Sequence, residues 1–128
     1  MNMNKLTQKS QEAFYGAQNI AIKHGHQEVD VEHLALALLS QENGLIPKLI
    51  TRMGLPAENI INAIEIELRK RPRVSGAGQE AGKIFVSQRL SQLIVKAGEE
   101  ADALKDDYIS VEHIFLAMLP EGPSAPSA

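Results

Sequence analysis

Apolar positions along the chain recur every three and four residues, the spacing of one face of an α-helix. Leu90, Ile94, Ala97, Ala101 and Leu104 are spaced by 4, 3, 4 and 3, which predicts a helix that opens after Ser87. Phe14, Ala17 and Ala21 form a matching stripe in a helix predicted over Gln8–Lys23. Thr7 precedes it as N-cap, where a hydroxyl accepts a backbone N–H of the first turn. Two shorter segments, Val31–Leu39 after Asp30 and Val111–Leu119 after Ser110, are apolar almost all round and predict buried helices. Pro47–Met53 reads as a short helix with proline in its first turn and Gly54 at its end. Ala57–Lys70 reads as a longer one with Ile60, Ile61, Ile64 and Leu68 inward. It closes on Arg69, Lys70 and Arg71, whose charge suits a helix C-terminus, and Pro72 stops it.

The pattern occurs twice. Residues 29–39, VDVEHLALALL, and 109–119, ISVEHIFLAML, are offset by 80 positions and identical at 6 of 11. The same offset carries Thr7 onto Ser87, Gln8 onto Gln88, Lys9 onto Arg89, Ala17 onto Ala97 and Ala21 onto Ala101. A unit that cannot bury its apolar face alone packs on its copy. The expected fold is therefore all-α, a pseudo-two-fold tandem repeat of short helices within residues 1–119. Repeat one spans about 6–70, a linker 71–86, and repeat two 87–119. Counterparts of the third and fourth helices are missing after Leu119, so the second repeat reads as truncated, with part of its last helix uncovered. The proline- and serine-rich residues 120–128 read as a disordered tail or an artificial end.

Composition narrows the function classes. At 128 residues the chain suits one domain with a core of its own. It has no cysteine, which removes disulfides and thiolate metal sites and suits a reducing cytoplasm. Neither a membrane span nor a secretory signal is apparent. A net charge of −3 and 4% aromatics argue against nucleic-acid binding.

Several motifs imitate chemistry. Gly76, Gly78 and Ala81 match G-x-G-x-x-A, but they follow a helix and a proline rather than a strand. In AGQEAGKI, residues 77–84, Ala77 and Ile84 replace the first glycine and the magnesium-binding hydroxyl of a phosphate loop. Both stretches read as flexible linker, and no cofactor is expected. His24, His26, His33 and His113 place no H-x-x-x-H pair on one helix, so no metal is expected. His33 and His113 share one repeat position and read as first-turn residues packed beside the repeat interface. No nucleophile–base pair emerges, so the chain is not expected to be an enzyme. The basic run 69–73 reads as a solvated helix end. Glu32 and Glu112, twins in the first turns of apolar helices, stay open to two readings. They complement the helix dipole, or they join free backbone N–H groups in a site for a peptide or a modified basic side chain.

The VEHLALALL and VEHIFLAML pair, the Leu6-Thr7 opening, the GHQEVDVEH stretch and the RPRVSGAG linker together resemble the N-terminal domain of Clp ATPases. The linker is most similar to the ClpB, or disaggregase, branch. The resemblance covers residues 4–119. It implies a pseudo-dimer of four-helix repeats, of which this chain supplies four helices and then two. It implies a chaperone module that binds unfolded or aggregated polypeptide and passes it to a hexameric ATPase ring, with ATP and magnesium confined to modules absent here. The positions it implies for substrate or partner binding are Thr7, Asp106 and Glu112, with a pseudo-symmetric site at Glu32 and Ser87. The ClpC- and ClpA-like branches imply an alternative, an adaptor or degradation-tag reader. There, phosphoarginine would be bound by Glu32 with Thr7 and by Glu112 with Ser87. Asp30 departs from that pattern, and its charge beside Glu32 should repel a phosphate.

Overall fold

The computed structural model describes residues 3–73 and 84–119. After a 3-10 turn at Met3–Lys5 come α1 (Gln8–Lys23), β1 (Glu28–Val29), α2 (Val31–Leu39), α3 (Leu45–Arg52) and α4 (Ala57–Arg69). Then follow β2 (Phe85–Val86), α5 (Gln88–Ala103) and α6 (Val111–Met118). Gly76, Gly78, Ala81 and the tail 120–128 lie outside the described residues. Hydroxyls start the long helices as expected: Thr7 Oγ1 accepts the Ser10 N–H at 3.2 Å and Ser87 Oγ accepts the Leu90 N–H at 3.0 Å.

The duplication in the sequence is a duplication in space. α1 and α5 are both 16 residues long and start 80 positions apart. Each packs against the short apolar helix of its own repeat, α1 on α2 and α5 on α6. The repeats are then joined by one contact made twice. Val29 pairs in parallel with Val86, and Leu6 bridges Ile109, also in parallel. The 80-residue offset turns Leu6 into Val86 and Val29 into Ile109. The hydrogen bonds repeat too: Ser87 N–H donates to Val29 O at 3.0 Å, and Thr7 N–H to Ile109 O at 3.0 Å. Such reciprocity is the mark of a two-fold, self-complementary interface. Phe85–Val86 was expected as linker; instead it is a short strand, because its backbone completes this pairing. Alanines 13, 17, 21 and 97 are at most 1% exposed, so the helices approach closely around Phe14, Leu34, Leu38, Leu90 and Ile114.

Three further expectations are corrected. Leu104 does not continue the inward stripe of α5; it is 59% exposed. It is the C-cap, and the chain turns away at Lys105, which has φ 60°. α3 begins at Leu45 rather than Pro47, with Gly44 as N-cap. Pro47 is still harmless, since N–H groups of a first turn need no intrahelical partner. Arg71 is not a solvated helix end, as described below.

The helix ends explain one oddity. α1 and α3 stop through left-handed glycines, Gly25 (φ 73°) and Gly54 (φ 74°). In each, two backbone bonds close the last turn, such as His26 N–H to Ala21 O at 2.9 Å and Leu55 N–H to Ile50 O at 3.1 Å. α5 ends the same way, with Asp106 N–H to Ala101 O at 2.9 Å, but it places lysine in the left-handed position. A Cβ there crowds the following carbonyl oxygen. Lys105→Gly is therefore expected to raise stability by about 1 kcal/mol, read as an upward shift of the urea midpoint.

Candidate functional site

Each repeat places one helix start against a helix start of the other repeat. At the first junction, Asp30 caps α2 through the Val31 N–H at 2.7 Å and accepts the Ser87 hydroxyl at 2.7 Å on the same oxygen. Its other oxygen accepts Arg71 at 3.1 Å and Arg89 at 3.2 Å. Burial pushes the Asp30 carboxyl up, but the Ser87 hydroxyl, the Val31 N–H and the two guanidiniums outweigh it, and its pKa lies below the ordinary value. Glu32 completes the cluster, accepting Arg71 Nη2 at 2.7 Å and Arg89 Nη2 at 3.3 Å. Two acids of repeat one are thus neutralised by an arginine that follows α4 and another from α5.

The second junction has the same frame and different chemistry. Thr7 Oγ1 donates to Ser10 Oγ at 3.0 Å, which donates to Ile109 O at 2.9 Å. Ser110 caps α6, and His113 Nδ1 accepts the Ser110 N–H at 2.9 Å. With Nδ1 an acceptor, Nε2–H donates to Asp106 Oδ2 at 2.9 Å. Asp106 remains half-exposed, and Glu112 is exposed with no salt bridge among the described residues. This junction presents two carboxylates toward solvent where its twin presents a closed ion cluster.

Thr7, Asp106 and Glu112 therefore gather at the start of α6, and Glu32 and Ser87 at the start of α2. The pairings of Glu32 with Thr7 and Glu112 with Ser87 are exchanged. Strand-like pairing of Val29 with Val86 brings Ser87 to Asp30, and that of Leu6 with Ile109 brings Thr7 to the cap of α6. Arg71 and Arg89 were missed as members of the first cluster. Arg89 sits two residues after Ser87, so the offset could have found it. Arg71 lies in the unrepeated stretch, where nothing local marks its reach to α2.

An apolar cavity of about 230 Å³ opens between α2, α3, α4 and α6. Leu38, Ile46, Ile50 and Ile60 form one wall, Phe115 and Met118 the other. Among the described residues, no helix is long and apolar enough to cross a membrane, and no group of three or more histidine, aspartate or glutamate side chains could hold a metal ion.

Residues 5–126 match the family described as the Clp repeat (R) N-terminal domain. The chain belongs to the Clp N-terminal domain family. It is 56% identical over 124 residues, 97% of its length, to the chaperone protein ClpB of Nitratidesulfovibrio vulgaris. It spans 14% of the length of that relative. In fold it resembles the N-terminal domain of the ClpV1 ATPase from E. coli EAEC, with a TM-score of 0.80, 23% identity, and coverage of 91% of this chain and 68% of that one. A ClpV N-domain in complex with a VipB peptide matches with a TM-score of 0.74 and 23% identity, covering 90% of this chain and 68% of that one. The Clp N-terminal domain described here therefore carries two unlike junctions on one symmetric scaffold, one closed by internal ion pairs and one open.

Proposed function

We propose that this domain is the substrate-recognition module of a ClpB-like disaggregase, contacting unfolded or aggregated polypeptide and delivering it to an ATPase ring outside this chain. The observation that carries the reading is the asymmetry of the twin junctions. At the start of α6, Asp106 and Glu112 offer solvent-facing acceptors. Three and six residues beyond Glu112, about 5 and 9 Å of helical rise, Phe115 and Met118 of the same helix line an apolar cavity. One short helix then meets a basic side chain at one end and an apolar one at the other. The named peptide complex of a ClpV N-domain supports peptide docking as a use of this fold. Contacts of this kind give broad, weak binding, because few of them select shape.

In this reading the domain performs no catalysis, ATP and magnesium belong to the ring, the ring is a hexamer, and the setting is the cytoplasm. Tag reading by phosphoarginine is the weaker alternative: at α2 the acids are already held by Arg71 and Arg89, so such a reader has only the α6 junction.

Thr7→Ala with Glu112→Ala is expected to weaken capture of reduced, carboxymethylated α-lactalbumin by roughly fivefold, about 1 kcal/mol, with an unchanged helical circular dichroism spectrum. Unchanged capture removes these residues from the site. NMR shifts around α6 with phosphoarginine but none with unfolded peptide would favour the tag reader instead.

A further inference from the structure

The two junctions carry twin histidines whose second partners differ. His33 Nδ1 accepts the Asp30 N–H at 2.9 Å, so its proton sits on Nε2. That proton points at His26 Nδ1, 2.8 Å away. The His26 proton must then be on Nε2, which is buried and makes no hydrogen bond of good geometry among the described residues, the Leu68 backbone carbonyl acting on the ring only weakly. In the twin, the offset turns His26 into Asp106 and His33 into His113. His113 Nδ1 lies 3.0 Å from Ser110 Oγ, and Nε2 lies 2.9 Å from Asp106 Oδ2.

A second proton therefore meets unequal receptions. On His113, the new Nδ1–H meets the Ser110 N–H donor against donor, but the Ser110 hydroxyl oxygen 3.0 Å away can accept it while Nε2–H keeps the Asp106 carboxylate. On His33, the new Nδ1–H faces the Asp30 N–H, donor against donor. The Asp30 carboxylate cannot take it easily, being engaged by Val31, Ser87, Arg71 and Arg89. The His26 neighbour cannot supply a negative charge. We propose that the His26–His33 pair makes repeat one the acid-sensitive half of the domain: its protonation unlocks the start of α2 and loosens the Asp30–Ser87 clasp between repeats, while the Asp106–His113 pair holds the start of α6.

The surrounding charges agree. His33 is pushed down to about 4 by burial first, then by His26 and Arg71, against the pull of Asp30. His26 is lowered by burial, His24, Arg71 and Arg73, with the Leu68 carbonyl opposing. Glu32 and Arg89 face the same cluster and largely compensate each other. Since the folded chain holds His33 deprotonated below the unfolded value of 6.5, the unfolded chain binds more protons between pH 6.5 and about 4. Stability therefore falls as pH falls through that window. From pH 7.5 to 5 the expected loss is about 30-fold in the local folding equilibrium, about 2 kcal/mol.

The test is amide hydrogen exchange on this chain at pH 7.5 and 5, with histidine nitrogens followed by NMR. Protection at residues 31–34 is expected to drop by about 30-fold and at 111–114 by less than about threefold. His33 is expected to carry its proton on Nε2 at pH 7.5. His26→Asp, which installs the twin's pairing, is expected to abolish the difference. Equal loss at both helix starts, or a proton on His33 Nδ1, overturns the proposal. Should the variant not fold, the measurements on the unaltered chain decide.

Discussion

Replacing Asp30 with alanine is expected to lower the stability of the domain by about 3 kcal/mol, measured by urea unfolding at neutral pH. One buried carboxylate serves four donors: the Val31 N–H, the Ser87 hydroxyl, and the guanidiniums of Arg71 and Arg89. Its removal leaves an uncapped α2 and two cations competing for Glu32. Arg89 is 59% exposed and can return to water, which keeps the cost at the lower end for a broken buried pair. Arg71, at 26%, has less freedom to do so. The twin substitution is the control. Ser110→Ala removes a cap and no ion pair, and is expected to cost about 1 kcal/mol. Equal losses at the two positions would mean that the arginines contribute nothing beyond capping. Asp30 then would be an ordinary N-cap, and the first junction no more than a copy of the second.

Much of this architecture was legible because its signals are local. A hydroxyl before an amphipathic run fixes a helix start, and Thr7, Ser87 and Ser110 all cap the helices expected of them. The repeat supplied the rest of the frame: once VEHLALALL is set on VEHIFLAML, every helix of the second repeat has a template. What stayed hidden depends on distance in the chain. The parallel strand pairs are two residues long or less, too short for any alternation to register. Arg71 and Glu32 are 39 positions apart, and only the packing of α4 on α2 brings them together. The direction of the site pairing was hidden for the same reason. Sequence offset names which residues are twins, but not whether a residue meets the partner in its own repeat or in the other. His26 shows a further limit. Nothing in GHQEVDVEH indicates that His26 reaches the third residue of α2, although its twin Asp106 pairs with a histidine at the same place.

The unequal cover of the two short helices leads to the second large effect. Leu36 of α2 is 6% exposed, whereas its twin Leu116 of α6 is 44% exposed. α4 packs against α2, whereas among the described residues the main neighbours of α6 are α5 and α3. Leu36→Ala removes buried methyl groups and leaves a void, and is expected to cost about 2.5 kcal/mol. Leu116→Ala removes groups already largely in water, and is expected to cost less than about 1 kcal/mol. Binding should show the reverse order. If the exposed face of α6 meets apolar segments of unfolded protein, Leu116→Ala weakens capture of carboxymethylated α-lactalbumin. Leu36→Ala then leaves capture unchanged at temperatures where both variants are folded. A stability cost at Leu116 as large as that at Leu36 would mean that α6 is covered in solution. Such cover would confine the proposed docking surface to the acids at the helix start and the cavity beside Phe115 and Met118.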